Sequence, residues 1–592
     1  MILKNVEDIY PATFMQQLML LHMYSSPDSD VLCEKFSCTV SGKLNVKAFK
    51  RSWQKVVDRH AVLRTMFVWG DLEKPLQIVR KQVTLPWVEY DLREIPEDEQ
   101  RRIISESNQK YRIFNPTIAP LIRLELFRLN EETYYFSWGY HHLILDGWCN
   151  WLILNEVFTL YSQYSYGRKI KLNPPVPYRN YIAWLKDQDM ISAKNYWAQY
   201  MQGFKSTTSL PFNATVHQRI KTFSECKMRL DEADSLLITN SIRTFKITLN
   251  TLIQFSWAVL LSSFSEENDV VFGSTVSGRP SELLEIENMM GLFINNVPVR
   301  IKLNLSDSLE KSLKKIHVGQ MEMKEFEYAP LTQIHNWCGL RQSSRLFESL
   351  IVFENYPVKS WERDGIDEIK ISGIKDNLKT NYPLTLVVVP ESGLTIRLIY
   401  SEQHFNNDQV EGLLNIFKSL LLKIAMSNNL VSDIQAYASN LVQPLKSKFE
   451  NKSKDLREIT HSYEKTINSP ESSRKGASFD VAFENKIVEI WKDCLLVSKL
   501  DIHDNFFELG GNSLMLVQLH EKLQLELELE FSIIELFKYP TISSMSKFLY
   551  DLSFFGKTKQ YTRSISGIER GKKQREAMIQ QRNLILSRRE RK

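Results

Sequence analysis

Two short strings carry residue types at spacings that chemistry can use. The first, HHLILDG (His141–Gly147), places two imidazoles, a carboxylate and a glycine within seven positions. An imidazole exchanges protons near neutrality, at a pKa of ~6.5, and glycine leaves a backbone N–H open to close approach. A plainer account has His141 and His142 as hydrogen-bonded strand residues and Asp146 as the cap of the next helix. The second string is DNFFELGGNSL (Asp504–Leu514). Gly510 and Gly511 permit a tight turn, and Ser513 then falls at a helix start, where free N–H groups and the macrodipole favour an attached phosphate. Its plainer account is an ordinary capping serine. Six scattered cysteines without a CxxC pair indicate neither a zinc site nor a disulfide framework, so no metal is expected.

These strings need rigid elements around them. TYYFSWGYHH (Thr133–His142) is aromatic and β-prone, which predicts a strand running into the histidines. WCNWLILNEVFTLYSQY (Trp148–Tyr164) predicts the helix that leaves them. HHLILDG therefore sits on a strand-to-helix connection, where side chains can enter a cavity while the scaffold stays fixed. FMQQLMLLHMY (Phe14–Tyr24) and VKAFKRSWQKVVDRH (Val46–His60) have helical spacing. Around Ser513, the runs ENKIVEIWKDCL (Glu484–Leu495), SLMLVQLHEKLQLEL (Ser513–Leu527), SIIELFK and the residues after YPTI predict a small four-helix unit.

A chain of 592 residues exceeds what one hydrophobic core supports, and 43% apolar with 24% charged residues is a globular composition. The apolar run TLIQFSWAVLLSSF (Thr251–Phe264) is broken by Gln and Ser and reads as a buried helix, so no membrane contact is expected. No leader-like segment opens the chain, which predicts a cytoplasmic location. Charge is unevenly distributed. Lys557–Lys592 holds twelve Lys/Arg against three Glu, whereas Asp480–Asp551 holds thirteen acidic against six basic residues. An acidic module is thus followed by a basic tail. The tail lies in no nucleic-acid-binding fold, so no nucleic acid is expected as a partner. Val442–Ser478 is polar and rich in Lys, Ser and Glu, and reads as a linker with some helix.

The string around Ser513, with its lead-in VEIWKDCLLVSKLDIHDNFFELGGNSL and the later LFKYPTI, resembles the peptidyl carrier domain of non-ribosomal peptide synthetases. The resemblance implies 4′-phosphopantetheine esterified to Ser513 by a phosphopantetheinyl transferase. HHLILDGW is accompanied by RHAVLRTMF, YIAWLKDQD, GSTVSGRPSELLEIENMMGLFINNVPVRI and LFESLIVFENYP. In order and spacing these resemble the motifs of the condensation domain of the same synthetases, closest to the subtype joining L-configured donors to L-acceptors. The implied fold class is α/β, with two chloramphenicol-acetyltransferase-like lobes around a tunnel, plus a small all-α four-helix carrier domain.

On that resemblance the domains run 1–175 and 176–440 for the two lobes, 441–478 for the linker, 479–552 for the carrier and 553–592 for the basic tail. His142 matches the catalytic histidine and Gly147 the glycine whose N–H lies near the reacting carbonyl. His141, Asp146 and Arg279 are supporting residues, Asp146 pairing with Arg279. The implied reaction is amide formation between an acyl thioester on an upstream donor carrier and an aminoacyl thioester on the arm at Ser513. Because Val442–Ser478 leaves no room for an adenylation domain, a stand-alone adenylation enzyme is expected to load Ser513 in trans. The tail reads either as a docking segment for a downstream synthetase or as a merely solvated basic segment. Ester formation, or a non-catalytic platform recruiting tailoring enzymes, are the alternatives.

Overall fold

The computed structural model describes residues 5–460 and 481–553, apart from 26–28, 70–74, 111–112, 170, 211–222, 339–344, 356–367, 377–378, 391–392, 428, 496–499, 507–508, 510–512, 528, 530 and 532–534. The proposed basic tail lies outside the described residues, as does the later part of the proposed linker. By contacts, the chain forms two compact units, Met1–Glu471 and Ser472–Lys592.

Fourteen strands are described in the first unit: β1 Val6–Pro11, β2 Cys33–Gly42, β3 Thr65–Val68, β4 Leu76–Arg80, β5 Trp87–Asp91, β6 Ile122–Arg128, β7 Thr133–His141, β8 Phe223–Arg229, β9 Asp269–Val276, β10 Asn295–Lys302, β11 Ser349–Phe353, β12 Ile369–Asp376, β13 Leu384–Pro390 and β14 Leu394–Ser401. They make a five-stranded sheet in the order β12-β2-β7-β6-β5, a six-stranded sheet in the order β10-β9-β11-β13-β14-β8, and a three-stranded sheet, β1-β4-β3. Each large sheet has its own hydrophobic core. The helices Val46–Arg59 and Gly147–Tyr166 bury apolar stripes in the core of the five-stranded sheet, including Phe49, Trp53, Val157 and Phe158. Leu249–Ser265 belongs to the other core and is buried from Thr251 to Phe264, which explains why its sequence is apolar on every face.

The two cores do not divide at one point of the chain. Strand β12, from the second half, hydrogen-bonds to β2 at the edge of the first half's sheet. Residues 286–293, also from the second half, place Ile286, Met289, Met290, Leu292 and Phe293 in the first half's core. Gly278 begins this return with φ +60°, and a Cβ there would fall 1.8 Å from the carbonyl oxygen of Phe293. Only glycine fits that turn.

The helix Val431–Thr460 runs through the start of the expected linker and contains Pro444. Val442 and Leu445 are buried in the core of the six-stranded half, which accounts for an ordered helix in a polar stretch. In the second unit, Val481–Leu495, Ser513–Leu527, Glu535–Lys538 and residues 542–553 are helical. Ile487, Trp491, Leu516, Leu519, Leu523, Met545 and Leu549 form its buried interior.

Candidate functional site

The histidine stretch takes its place from sheet register. Strand β7 ends at His141, opposite Cys33 of β2, and Tyr140 lies opposite Glu34. One residue on, the N–H of His142 donates to the carbonyl of Leu32, 2.9 Å away. Glu34 and His142 are therefore diagonal neighbours on one face of the sheet, where β7 ends. Gln16 donates to the carbonyl of Leu143 at 2.8 Å and fixes the turn between strand and helix.

The two histidines have opposite environments. Nδ1 of His141 accepts the Leu143 N–H at 3.0 Å, so the ring is neutral and protonated on its other nitrogen. Burial, with the neighbouring His142 and His22, pushes its pKa down to about 3. His142 instead contacts two acceptors: Nδ1 lies 3.1 Å from the carbonyl oxygen of Leu145, and Nε2 lies 3.0 Å from Oε1 of Glu34. Burial presses its pKa downward, but the hydrogen bond and charge of Glu34, aided by Leu145 and Asp146, outweigh it and the net shift is upward. His141 is thus held in one tautomer, whereas His142 has an acceptor at each ring nitrogen.

Asp146 is held from all sides. It caps the helix Gly147–Tyr166, accepting the Cys149 N–H on Oδ1 at 3.3 Å, while Oδ2 accepts the Phe293 N–H at 3.2 Å. Arg279 donates to both carboxylate oxygens at 3.3 and 3.5 Å, with side chains 5% and 1% exposed. The other arm of the guanidinium donates to the carbonyls of Ile286 and Met289 at 2.7 and 2.8 Å, and the guanidinium carbon lies 4.1 Å from the Phe293 ring centre. The expected Asp146–Arg279 contact is present, and it clamps the returning segment 278–293 onto the histidine turn. Gly147 is the first residue of its helix, so its N–H has no intrahelical acceptor.

Five of the six expected site residues thus come together within this unit. Glu34 was not found by sequence reasoning. Its signal is a single charge on the buried face of a strand whose other inward residues are Phe36, Cys38 and Val40. A cavity of about 1220 Å³ lies beside the clamp, lined by Tyr10, Trp184, Pro280, Phe293, Asn295 and Glu327 among others, but neither histidine lines it. His142 lies instead where β7 passes into the turn, beside the end of β2.

In the second unit Ser513 is the first residue of the helix Ser513–Leu527, whose opening turn carries no acidic residue. Free N–H groups and the positive end of the helix dipole suit a phosphodiester at that position. Gly510 and Gly511 lie outside the described residues.

Comparison with known proteins agrees with both halves. A family model described as "Condensation domain" matches residues 6–439, and one described as "Phosphopantetheine attachment site" matches residues 485–549. A linear gramicidin synthase protein of Brevibacillus parabrevis is 37% identical over 428 residues, covering 72% of this chain and 8% of that protein. Surfactin synthase subunit 3 of Bacillus subtilis (strain 168) is 31% identical over 448 residues, covering 74% of this chain and 34% of that protein. The chain therefore spans only a small part of these relatives. The fold is shared with a four-domain nonribosomal peptide synthetase bound to AMP and glycine (TM-score 0.61, 15% identity, 72% of this chain and 34% of that one). It is also shared with the condensation domain of the Monacolin K polyketide synthase MokA (TM-score 0.61, 18% identity, 72% and 99%). The chain belongs to the condensation-domain family, is homologous to the condensation modules of non-ribosomal peptide synthetases, and continues into a carrier domain that bears 4′-phosphopantetheine on a serine.

Proposed function

We propose that this chain forms an amide bond between an acyl or aminoacyl thioester brought by an upstream carrier and an aminoacyl thioester held on Ser513 of its own carrier domain. The observation that carries this reading is the intact histidine turn. His142 is seated at the end of a core strand, with Asp146 and Arg279 fixing the turn, in a chain that also carries a phosphopantetheine attachment domain. Phosphopantetheine on Ser513 would supply a flexible arm ending in a thiol that bears the acceptor as a thioester. The rest falls to this chain's residues.

An α-amino group with a pKa near ~8 is partly neutral at pH 7, so the demand on a base is modest. His142 takes up the proton that the amine nitrogen loses. The N–H of Gly147, at the positive end of its helix, is suited to stabilise charge developing on the carbonyl oxygen. Holding two tethered reactants together accounts for the larger share, since effective molarities contribute ~7–11 kcal/mol. Asp146 and Arg279 act by keeping the turn in place.

The acceptor is loaded in trans by a stand-alone adenylation enzyme, because the two matched domains leave only residues 440–484 between them. The wording of HHLILDGW and ENYP favours L-configured donor and acceptor. A phosphopantetheinyl transferase primes Ser513, and the basic tail docks a downstream synthetase. Single-turnover assays with two loaded carriers test the reaction: His142→Ala is expected to fold normally and condense poorly, and an unimpaired variant refutes the assignment. Ser513→Ala is expected to abolish the mass gain seen on incubation with coenzyme A and a transferase.

A further inference from the structure

We propose that Glu34 is a positioning residue for His142: it fixes the ring through Nε2 and sets the pH at which the imidazole becomes free to take up a proton. This rests on the functional reading above only for its kinetic consequence; the pairing itself stands on geometry. Leu145 offers a carbonyl oxygen to Nδ1 at 3.1 Å, and a carbonyl carries no hydrogen, so Nδ1 must be the donor. Nε2 lies 3.0 Å from Oε1 of Glu34, and a carboxylate likewise only accepts. Both ring nitrogens therefore face acceptors, an arrangement that the imidazolium satisfies and the neutral ring does not. Glu34 gains equally, because a carboxylate whose side chain is 5% exposed needs a charged partner.

The other groups around the pair do not replace either role. His141 is held neutral by the Leu143 N–H. Tyr140 presents its ring at right angles to His142, with centroids 6.0 Å apart. The charge of Asp146 is already engaged by Arg279 and the Phe293 N–H. Glu354, the residue after β11, lies 3.9 Å from Arg397, which opposes the upward push of burial, Asp376 and the Glu34 charge on its own pKa, so its ion-pair partner is Arg397 and not His142. Register fixes the geometry: any side chain at position 34 must lie diagonal to His142, because Tyr140 pairs with Glu34 and His142 with Leu32.

A base that begins as an imidazolium can work only after it sheds that proton, so the acid limb of the rate profile reports the Glu34–His142 pair. The test uses the full chain with isotope-labelled histidine. The His142 signal, assigned by its loss in His142→Ala, is titrated by NMR in the wild type and in Glu34→Gln. The wild-type ring is expected to titrate above the ordinary value of ~6.5. In Glu34→Gln the midpoint should fall by ~1 pH unit or more, because burial is then opposed only by the weaker pull of Leu145 and Asp146. Coincident midpoints overturn the proposal. Single-turnover condensation on the same proteins should show the acid limb moving to lower pH in Glu34→Gln. A uniform fall in rate with an unmoved limb reduces Glu34 to packing and also overturns the proposal. Full activity of His142→Ala would refute the functional reading alone, leaving the NMR result to decide the pairing.

Discussion

The two ends of HHLILDG each hold a buried ion pair, and the pairs are built for different ends. Asp146 and Arg279 are joined from opposite halves of the unit, and backbone N–H and carbonyl groups add further hydrogen bonds to both. A carboxylate joined to a guanidinium has one charge state near neutrality. Four residues earlier, His142 and Glu34 share a single contact between the ends of two neighbouring strands, and one member is an imidazole. An imidazole changes its charge closer to neutrality than a carboxylate or a guanidinium does. Several fixed contacts give a clamp, whereas a titratable contact with one exchangeable partner gives a working group.

Breaking the clamp should have the largest effect. Arg279→Ala leaves the Asp146 carboxylate buried without its cation and removes the donors to Ile286 and Met289, so we expect a loss of about 3–5 kcal/mol. Urea denaturation followed by tryptophan fluorescence measures this, and activity should disappear with the fold. A variant as stable as the wild type would show that the backbone contacts alone hold segment 278–293. His142→Ala also leaves a buried carboxylate, Glu34, without its partner, but it breaks fewer contacts, so it should cost less stability than Arg279→Ala while condensation falls ~10²–10⁴-fold, the range of a positioned proton acceptor. Equal losses of stability in both variants would erase the distinction between the ends.

The elements themselves were legible in the sequence, and the reason is local. The strand Thr133–His141 and the helices at Val46, Gly147, Thr251 and Ser513 follow from β-prone and helical spacing within single segments. The Asp146–Arg279 contact spans 133 positions and came from family resemblance. Glu34 and His142 are 108 positions apart, and only the register of β2 on β7 brings them together. No local pattern encodes register between distant strands, although a lone glutamate on the apolar face of CEKFSCTV marks the position. The entry of β12 into the first sheet was illegible for the same reason.

A stability measurement sharpens the comparison from the other side. The folded-state pKa of His142 is raised, so the pair contributes stability that is fully present below the unfolded value of ~6.5 and is lost as pH rises through the folded value. The stability gap between wild type and Glu34→Gln should therefore be widest below pH ~6.5 and close on the alkaline side, over a range on the order of 1 kcal/mol. The gap between wild type and Arg279→Ala should stay flat over the same range. Parallel flat gaps would mean that the Glu34 contact does not titrate.

The smallest effect probes how far the clamp depends on its packing partners. Cys149 is fully buried, and its Sγ lies 3.1 Å from Asp146 Oδ1, 3.2 Å from the Gly291 carbonyl and 3.3 Å from the Gly291 N–H. Burial, followed by the charge of Asp146, pushes the thiol pKa up to about 12, so it stays protonated and donates its S–H. A thiol is a weak donor, and Cys149→Ala removes it without unpairing Arg279. We expect a cost of about 1 kcal/mol and an unchanged acid limb of the rate profile, because the pair at His142 is untouched. Cys149→Ser, which restores a donor and an acceptor at the same place, should recover part of that cost. If Cys149→Ala instead shifts the acid limb as Glu34→Gln is expected to, the two ends of the turn are coupled and the clamp takes part in setting the proton affinity of His142.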